Sequence, residues 1–252
     1  MTRIRVVGAL VSAALAAGLA GCSAAGPGPA SPVDLDEPGS RAPAPDPCGR
    51  EELLGGAEVA GPELADCVSA AVLEAGSGRV TQQYRGWDAL FDGEGAFSTR
   101  DGQRLRIDFY DGRGGLVIID DEAWYDDTMG WVKADPTGGP REMIAEMAAE
   151  TVRAVASPEA NRDVMAMFDT WLVAGPETVE LPDGERVEGI RVDAVGERDL
   201  GDGNRLSSVS FVLDERMRPV TASAASSLLD VTVVVDQTFS DWGADIAIEP
   251  PV

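Results

Sequence analysis

Residues 104–111 read RLRIDFYD. Leu105, Ile107 and Phe109 fall on one side of an extended chain, and Arg104, Arg106 and Asp108 on the other. A period of two with one dry and one wet face is the pattern of an antiparallel sheet covered on a single side. The same pattern runs outward in both directions. RVTQQYRGW (79–87), ALFDGEGAFST (89–99), GGLVIID (114–120) and EAWYDD (122–127) are short apolar segments separated by Asp-Gly or Gly-Gly signals. GWVKAD (130–135) adds a sixth strand.

At residue 140 the period changes. PREMIAEMAAETVRAVA (140–156) places Met143, Ile144, Met147, Thr151, Ala154 and Val155 on one helical face. Ser157-Pro158 reads as a cap and first helical residue. A second helix, PEANRDVMAMFDTWLVA (158–174), follows with Val164, Met165, Phe168, Trp171 and Leu172 on its apolar face, ending at Gly175-Pro176. Strands then resume: ETVELP (177–182), ERVEGIRVDAV (185–195), LSSVSFVLDE (206–215), RPVTASAA (218–225), LLDVTVVVDQTF (228–239) and DIAIE (245–249). Asp183-Gly184 is a hairpin turn. In 228–239, Leu229, Val231, Val233, Val235 and Phe239 share a face. Ahead of the first strand, REELLGGAEVAG (50–61) is a glycine-interrupted helix. PELADCVSAAVLEA (62–75) is a better one, stopped by Gly76 and Gly78. Helix, strands, two helices, strands is an α+β order: an antiparallel sheet with helices gathered on one side.

The N-terminus is of a different kind. MTRIR carries Arg3 and Arg5, and residues 6–20 are apolar or glycine apart from Ser12. This is the n-region and h-region of an export leader; a membrane span needs about 18–20 such residues. The run closes on LAGC, Leu19, Ala20, Gly21 and Cys22, which resembles a bacterial lipobox. That resemblance implies that residues 1–21 are a cleaved signal peptide and that Cys22 becomes the diacylglyceryl-modified first residue, with palmitate-type acyl chains. Residues 22–47 then form a tether, with seven prolines and three glycines in residues 23–47. Residues 48–252 form a single domain.

The formal charge is −24, or −26 once Arg3 and Arg5 are lost with the leader. Such acidity argues against nucleic acid as a partner and against a polybasic grip on anionic lipid. With Cys22 acylated, Cys48 and Cys67 remain as a pair, and an oxidising compartment favours a bridge between them over two free thiols. Two cysteines in a chain without histidine do not make a zinc site. Ser-His-Asp and Cys-His arrangements are absent for the same reason. The 44 carboxylates offer too many pairs for spacing to select one. DLGDGN (199–204) has part of a calcium-loop pattern but lacks its full ligand series. No catalytic residue, metal or cofactor is expected.

Three stretches carry a wider resemblance: EAWYDDTMGWVKAD (122–135), VEGIRVDAV (187–195) with FVLDERMRPV (211–220), and FSDWGADIAIEPP (239–251). In this order, around a helix pair and behind a lipobox, they resemble the LolA/LolB-like lipoprotein superfamily, in particular actinobacterial lipoproteins of the LppX/LprAFG type. The resemblance covers about residues 65–251. It implies a curved antiparallel sheet, a half-open barrel, with helices packed on the concave side and acyl chains held between the two layers. The lining residues it suggests are Leu105, Ile107, Phe109, Met143, Met147, Met165, Phe168, Trp171, Val231 and Val233. The expected function is binding or carriage of a hydrophobic, lipid or acyl ligand at the outer face of the bacterial cell membrane. The alternative is an envelope interaction or sensor module with a filled core and a protein partner.

Overall fold

The computed structural model describes residues 48, 53, 55–86, 91–156, 158–201, 203–228 and 231–251. Among these, thirteen strands form one antiparallel sheet, with three α-helices. The strands are β1 (Glu58–Ala60), β2 (Ser77–Arg85), β3 (Gly93–Ser98), β4 (Arg104–Phe109), β5 (Gly115–Ile119), β6 (Glu122–Asp126), β7 (Trp131–Lys133), β8 (Thr170–Glu180), β9 (Arg186–Ala194), β10 (Arg198–Gly201), β11 (Asn204–Leu213), β12 (Pro219–Leu228) and β13 (Val231–Ser240). The helices are α1 (Gly61–Ala75), α2 (Pro140–Ala156) and α3 (Pro158–Ala166). Spatial order is β1-β8-β9-β11-β12-β13-β2-β3-β4-β5-β6-β7, with β10 paired to β11. The sheet is open: β1 and β7 are its two ends. The second strand block therefore enters through β13, which pairs with β2 and joins the two halves into a single curved surface.

The alternation in β4 is realised. Leu105, Ile107 and Phe109 are buried, and Arg106 and Asp108 are exposed and pair with each other at 3.0 Å. Helix α1 starts with Pro62 in its first turn and ends at Gly76, whose left-handed φ of 72° closes the helix through a bond from its N–H to the Val72 carbonyl. Cys67 on its buried face is bonded to Cys48.

Three elements differ from the sequence expectation. First, α3 stops at Ala166, and TWLVA, expected as its second half, is the start of β8. Trp171 and Val173 point into the core and Leu172 away from it, so the segment obeys the strand period. The short strand β1, expected as helix, supplies the missing partner by pairing Val59 with Trp171. Tertiary pairing overrides a local pattern that fits both periods. Second, α2 is rotated. Ala145, Ala148, Ala149 and Val152 face inward, while Met143, Ile144 and Met147 face outward. Small side chains let the helix axis approach β6 and β7, and Arg141 fixes its start with a two-point grip on Asp127. Third, residues 245–249 form no strand. Arg104 Nη1 holds the segment by donating to the Ile248 carbonyl at 3.0 Å, and Ser77 Oγ holds the residue before it by donating to the Ala244 carbonyl at 2.6 Å. Of DLGDGN, Asp199, Leu200 and Gly201 belong to β10 and Asn204 opens β11, and the Asp199 carboxylate is engaged by the Gly201 N–H.

One glycine is required by close approach. A Cβ on Gly61, at the start of α1, would lie 1.7 Å from the Phe168 carbonyl oxygen. The beginning of α1 thus rests directly on the chain that follows α3.

Candidate ligand site on the concave face

Inward-facing residues of adjacent strands line up in rows. One row runs Val192 (β9), Phe211 (β11), Ala222 (β12), Gln237 (β13) and Gln82 (β2), each register-paired with the next. The row beside it runs Val209, Ala224, Val235 and Tyr84. The alanines at 222 and 224 shorten the wall at the centre of the sheet. Across from them α3 presents Asn161 and Val164. What remains is a cavity of about 50 Å³, lined by these two helix residues, by Val209, Phe211, Ala222, Ser223 and Ala224, and by Val235 and Gln237.

The residues expected to line a ligand space divide into two groups. Leu105, Ile107, Phe109, Met165, Phe168 and Trp171 are buried in one continuous core. Trp171 touches Phe168 and Phe211, with ring centroids 5.7 Å apart in each case, so this group reaches the cavity wall at Phe211. Met143 and Met147 lie on the outer face of α2, 48% and 41% exposed, and Val231 at the start of β13 is 53% exposed. Val233 is half-buried on the inward side of β13. The outward turn of the methionines follows from the small-residue face of α2. The lipobox residues Leu19, Ala20, Gly21 and Cys22, and the tether, lie outside the described residues.

Sequence reasoning missed Gln82 and Gln237. Gln82 is 0% exposed and Gln237 5%. Both occupy inward positions in otherwise apolar alternation: Val80-Gln82-Tyr84 on β2 and Val233-Val235-Gln237-Phe239 on β13. A polar residue in a dry row was the available signal. Gln82 Nε2 donates to the Phe91 carbonyl at 2.8 Å. Gln82 Oε1, Gln237 Nε2 and the Tyr84 hydroxyl are buried without a hydrogen-bond partner among the described residues. Burial, and secondarily the charge of Asp92, pushes the Tyr84 phenol up, so it stays neutral.

Larger clefts of about 440 and 270 Å³ are of another character. They are lined by charged side chains, including Asp214, Arg218 and Glu185 in one, and Arg79, Glu94 and Asp241 in the other. Among the described residues no helix is long and apolar enough to cross a membrane, and no group of three or more His, Cys, Asp or Glu is placed to hold a metal ion.

The chain is structurally similar to two mycobacterial proteins. LprF from Mycobacterium bovis superposes with a TM-score of 0.46 at 12% identity, over 76% of this chain and 96% of that one. The Mycobacterium tuberculosis lipoprotein LppX does so with a TM-score of 0.44 at 14% identity, over 75% and 99%. These are proteins of the type that the sequence resemblance named. No family model matches the chain, and no curated protein matches it. At 12–14% identity no residue's role transfers from either neighbour.

Proposed function

We propose that this chain is an exported lipoprotein, anchored through Cys22 to the outer face of the bacterial cell membrane, whose domain binds a hydrophobic ligand between α3 and the concave sheet. The observation that supports the ligand site is the cavity itself: it sits where helix meets sheet, bordered by Ala222 and Ala224 and walled mainly by apolar side chains. The domain works by burying apolar surface, at about 25 cal/mol per Å², and no bond is made or broken.

Ligand pockets commonly enclose roughly 300–1,000 Å³, so with a volume of about 50 Å³ the reading requires a second, open form. Opening requires α3 to move. The helix is only nine residues long. Its ion pair to α1, Arg162 to Asp66 at 3.0 Å, is exposed on both sides, and such pairs contribute little. The leader, the lipobox and the Pro-rich tether support the placement outside the cell; two or more acyl chains give stable anchoring.

Native mass spectrometry of the protein purified from its own host tests the reading. The expected result is a mass increment that organic extraction identifies as lipid, together with uptake of fluorescent fatty acyl probes. A bare mass and no uptake would sink it. That outcome favours a filled-core interaction module, for which the exposed Met143, Ile144 and Met147 on α2 offer the surface a protein partner would meet.

A further inference from the structure

The sheet ends at β7, and among the described residues no strand lies beyond it. Register pairs Trp131 with Asp126, Val132 with Tyr125 and Lys133 with Trp124. One place further on, the Ala134 N–H donates to the Ala123 carbonyl at 2.8 Å. Antiparallel partners alternate between pairs that exchange hydrogen bonds and pairs that do not. Val132 and Ala134 therefore bond to β6, while the N–H and C=O of Trp131 and Lys133 point the other way, toward the open edge. Two donors and two acceptors stand there in the spacing of a strand.

Beside this edge lies an open groove of about 540 Å³, between β7, residues 134–136 and Glu142 in the first turn of α2. The Asp135 N–H donates to the Glu142 carbonyl at 3.3 Å and sets the helix start against the end of the strand. Solvent reaches the groove: Lys133, Asp135 and Pro136 are exposed, and Trp131 and Val132 are half-buried. Natural edges are commonly blunted by a short strand and a lysine standing out from it. β7 is short, with three residues, but its lysine leans back. Lys133 Nζ pairs with Glu122 on β6 and lies 5.5 Å from the centre of the Trp124 ring. The cation is committed to β6, and the edge stays clear. The two carboxylates of the groove differ. Asp135 accepts from the Thr137 N–H and hydroxyl, each at 2.8 Å. Glu142 is in no salt bridge among the described residues.

We propose that β7 is an acceptor edge for an extended segment of a protein partner, apolar and basic in alternation, which adds a strand there and sets a Lys or Arg against Glu142. The outward backbone groups dictate the extended form, and the unpaired carboxylate dictates the sign of the side chain. Other occupants match less of the edge. Residues 23–47 contain seven prolines, which donate no N–H. A second copy would bring a second Glu142 to the same seam, in a chain of net charge −24. A lipid surface has no strand-spaced donors and acceptors. The edge is separate from the cavity under α3 and binds whether or not that cavity takes a ligand.

Amide hydrogen exchange of the full-length chain on phosphatidylcholine vesicles, read residue by residue, provides the test. The probe is the end-blocked heptapeptide Arg-Val-Arg-Val-Arg-Val-Arg at up to about 1 mM. Without peptide, Trp131 and Lys133 should exchange quickly and Val132 and Ala134 slowly; with it, Trp131 and Lys133 should slow about 10-fold or more. Glu142→Gln should weaken binding about 5-fold. Lys133→Pro removes an outward N–H and leaves the bonds to β6 in place. It also makes the chain more acidic, so general charge attraction would tighten binding, whereas strand addition predicts a loss of about 5-fold or more. A thermal melt of each variant verifies the fold. Unchanged exchange at Trp131 and Lys133 at the highest peptide concentration, or tighter binding by Lys133→Pro, overturns the edge site. Equal affinity in Glu142→Gln overturns the charged contact. Slow exchange of both amides without peptide, with a dimer in sedimentation, would name a second copy as the occupant and overturn the proposed partner.

Discussion

Trp171 Nε1 donates a 3.0 Å hydrogen bond to the carbonyl of Met165, in the last turn of α3. Both residues are fully buried. The bond adds a second donor to a carbonyl that also accepts from the Phe168 N–H at 3.4 Å, and it ties the helix that covers the cavity to β8. The ring of the same tryptophan meets Phe211 on the cavity wall at a tilt of 54°. One side chain therefore links the last turn of α3 to the wall residue Phe211.

Trp171→Phe should cost about 2 kcal/mol, from one lost buried hydrogen bond and a smaller ring in the core. Urea unfolding would measure it. If α3 is the moving part, acyl-probe uptake by the variant should be faster than by the parent, even though the variant is less stable.

Ala224→Val puts two carbons at the cavity, where they have room. The expected cost is under about 1 kcal/mol, far from the roughly 1–3 kcal/mol of overpacking a filled core. Uptake of an acyl probe should fall sharply. A large loss of stability would mean that the neighbourhood of residue 224 is already packed.

Gln237→Leu should raise stability by about 1 kcal/mol, because it removes a buried amide donor that has no partner. A lower midpoint would mean that the amide is satisfied in solution.

Arg141 holds the Asp127 carboxyl below the ordinary aspartate range, chiefly through its side-chain hydrogen bond. A depressed value means that folding favours the ionised form. The contribution is present above the unfolded value of about 3.9 and is lost as pH falls through the lower folded value. Carboxyl-carbon NMR should place the Asp127 midpoint under about 3.9 in the parent, and Arg141→Gln should raise it. An unchanged midpoint in Arg141→Gln would rule the pairing out.

Cys48→Ser opens the disulfide and should cost about 3 kcal/mol, the chain-entropy value for a loop of about 20 residues. Denaturation of the parent with and without reductant gives the same comparison without a substitution.

The sheet was readable from sequence because its strands alternate cleanly. RLRIDFYD and its neighbours leave no second reading, and Asp-Gly signals punctuate them. The boundary between α3 and β8 was not readable. In VMAMFDTWLVA, Met165, Phe168 and Trp171 keep helical spacing, while Trp171 and Val173 keep strand spacing. Only the partner strand β1, distant in sequence, decides between them. The rotation of α2 was hidden for a related reason. Periodicity favours large apolar residues as the buried face, but close packing on a curved sheet selects Ala145, Ala148 and Ala149. The candidate site was legible in place, between helix and sheet, but not in composition. Its cavity depends on which residues face one another across β11, β12 and β13, and register is not written in any single strand.

The bond between Cys48 and Cys67 also decides where mechanical load goes. If the domain hangs from Cys22 as proposed, a pull along the chain enters the middle of α1 through the sulfurs of Cys48 and Cys67. From α1 the force spreads through Leu64, Val68 and Val72 into the core, leaving the edge strand β1 unloaded. With the bridge reduced, the same tug would instead reach Glu58–Ala60 first, at the edge strand paired with β8, so under that proposal the bridge sets where the load enters the sheet.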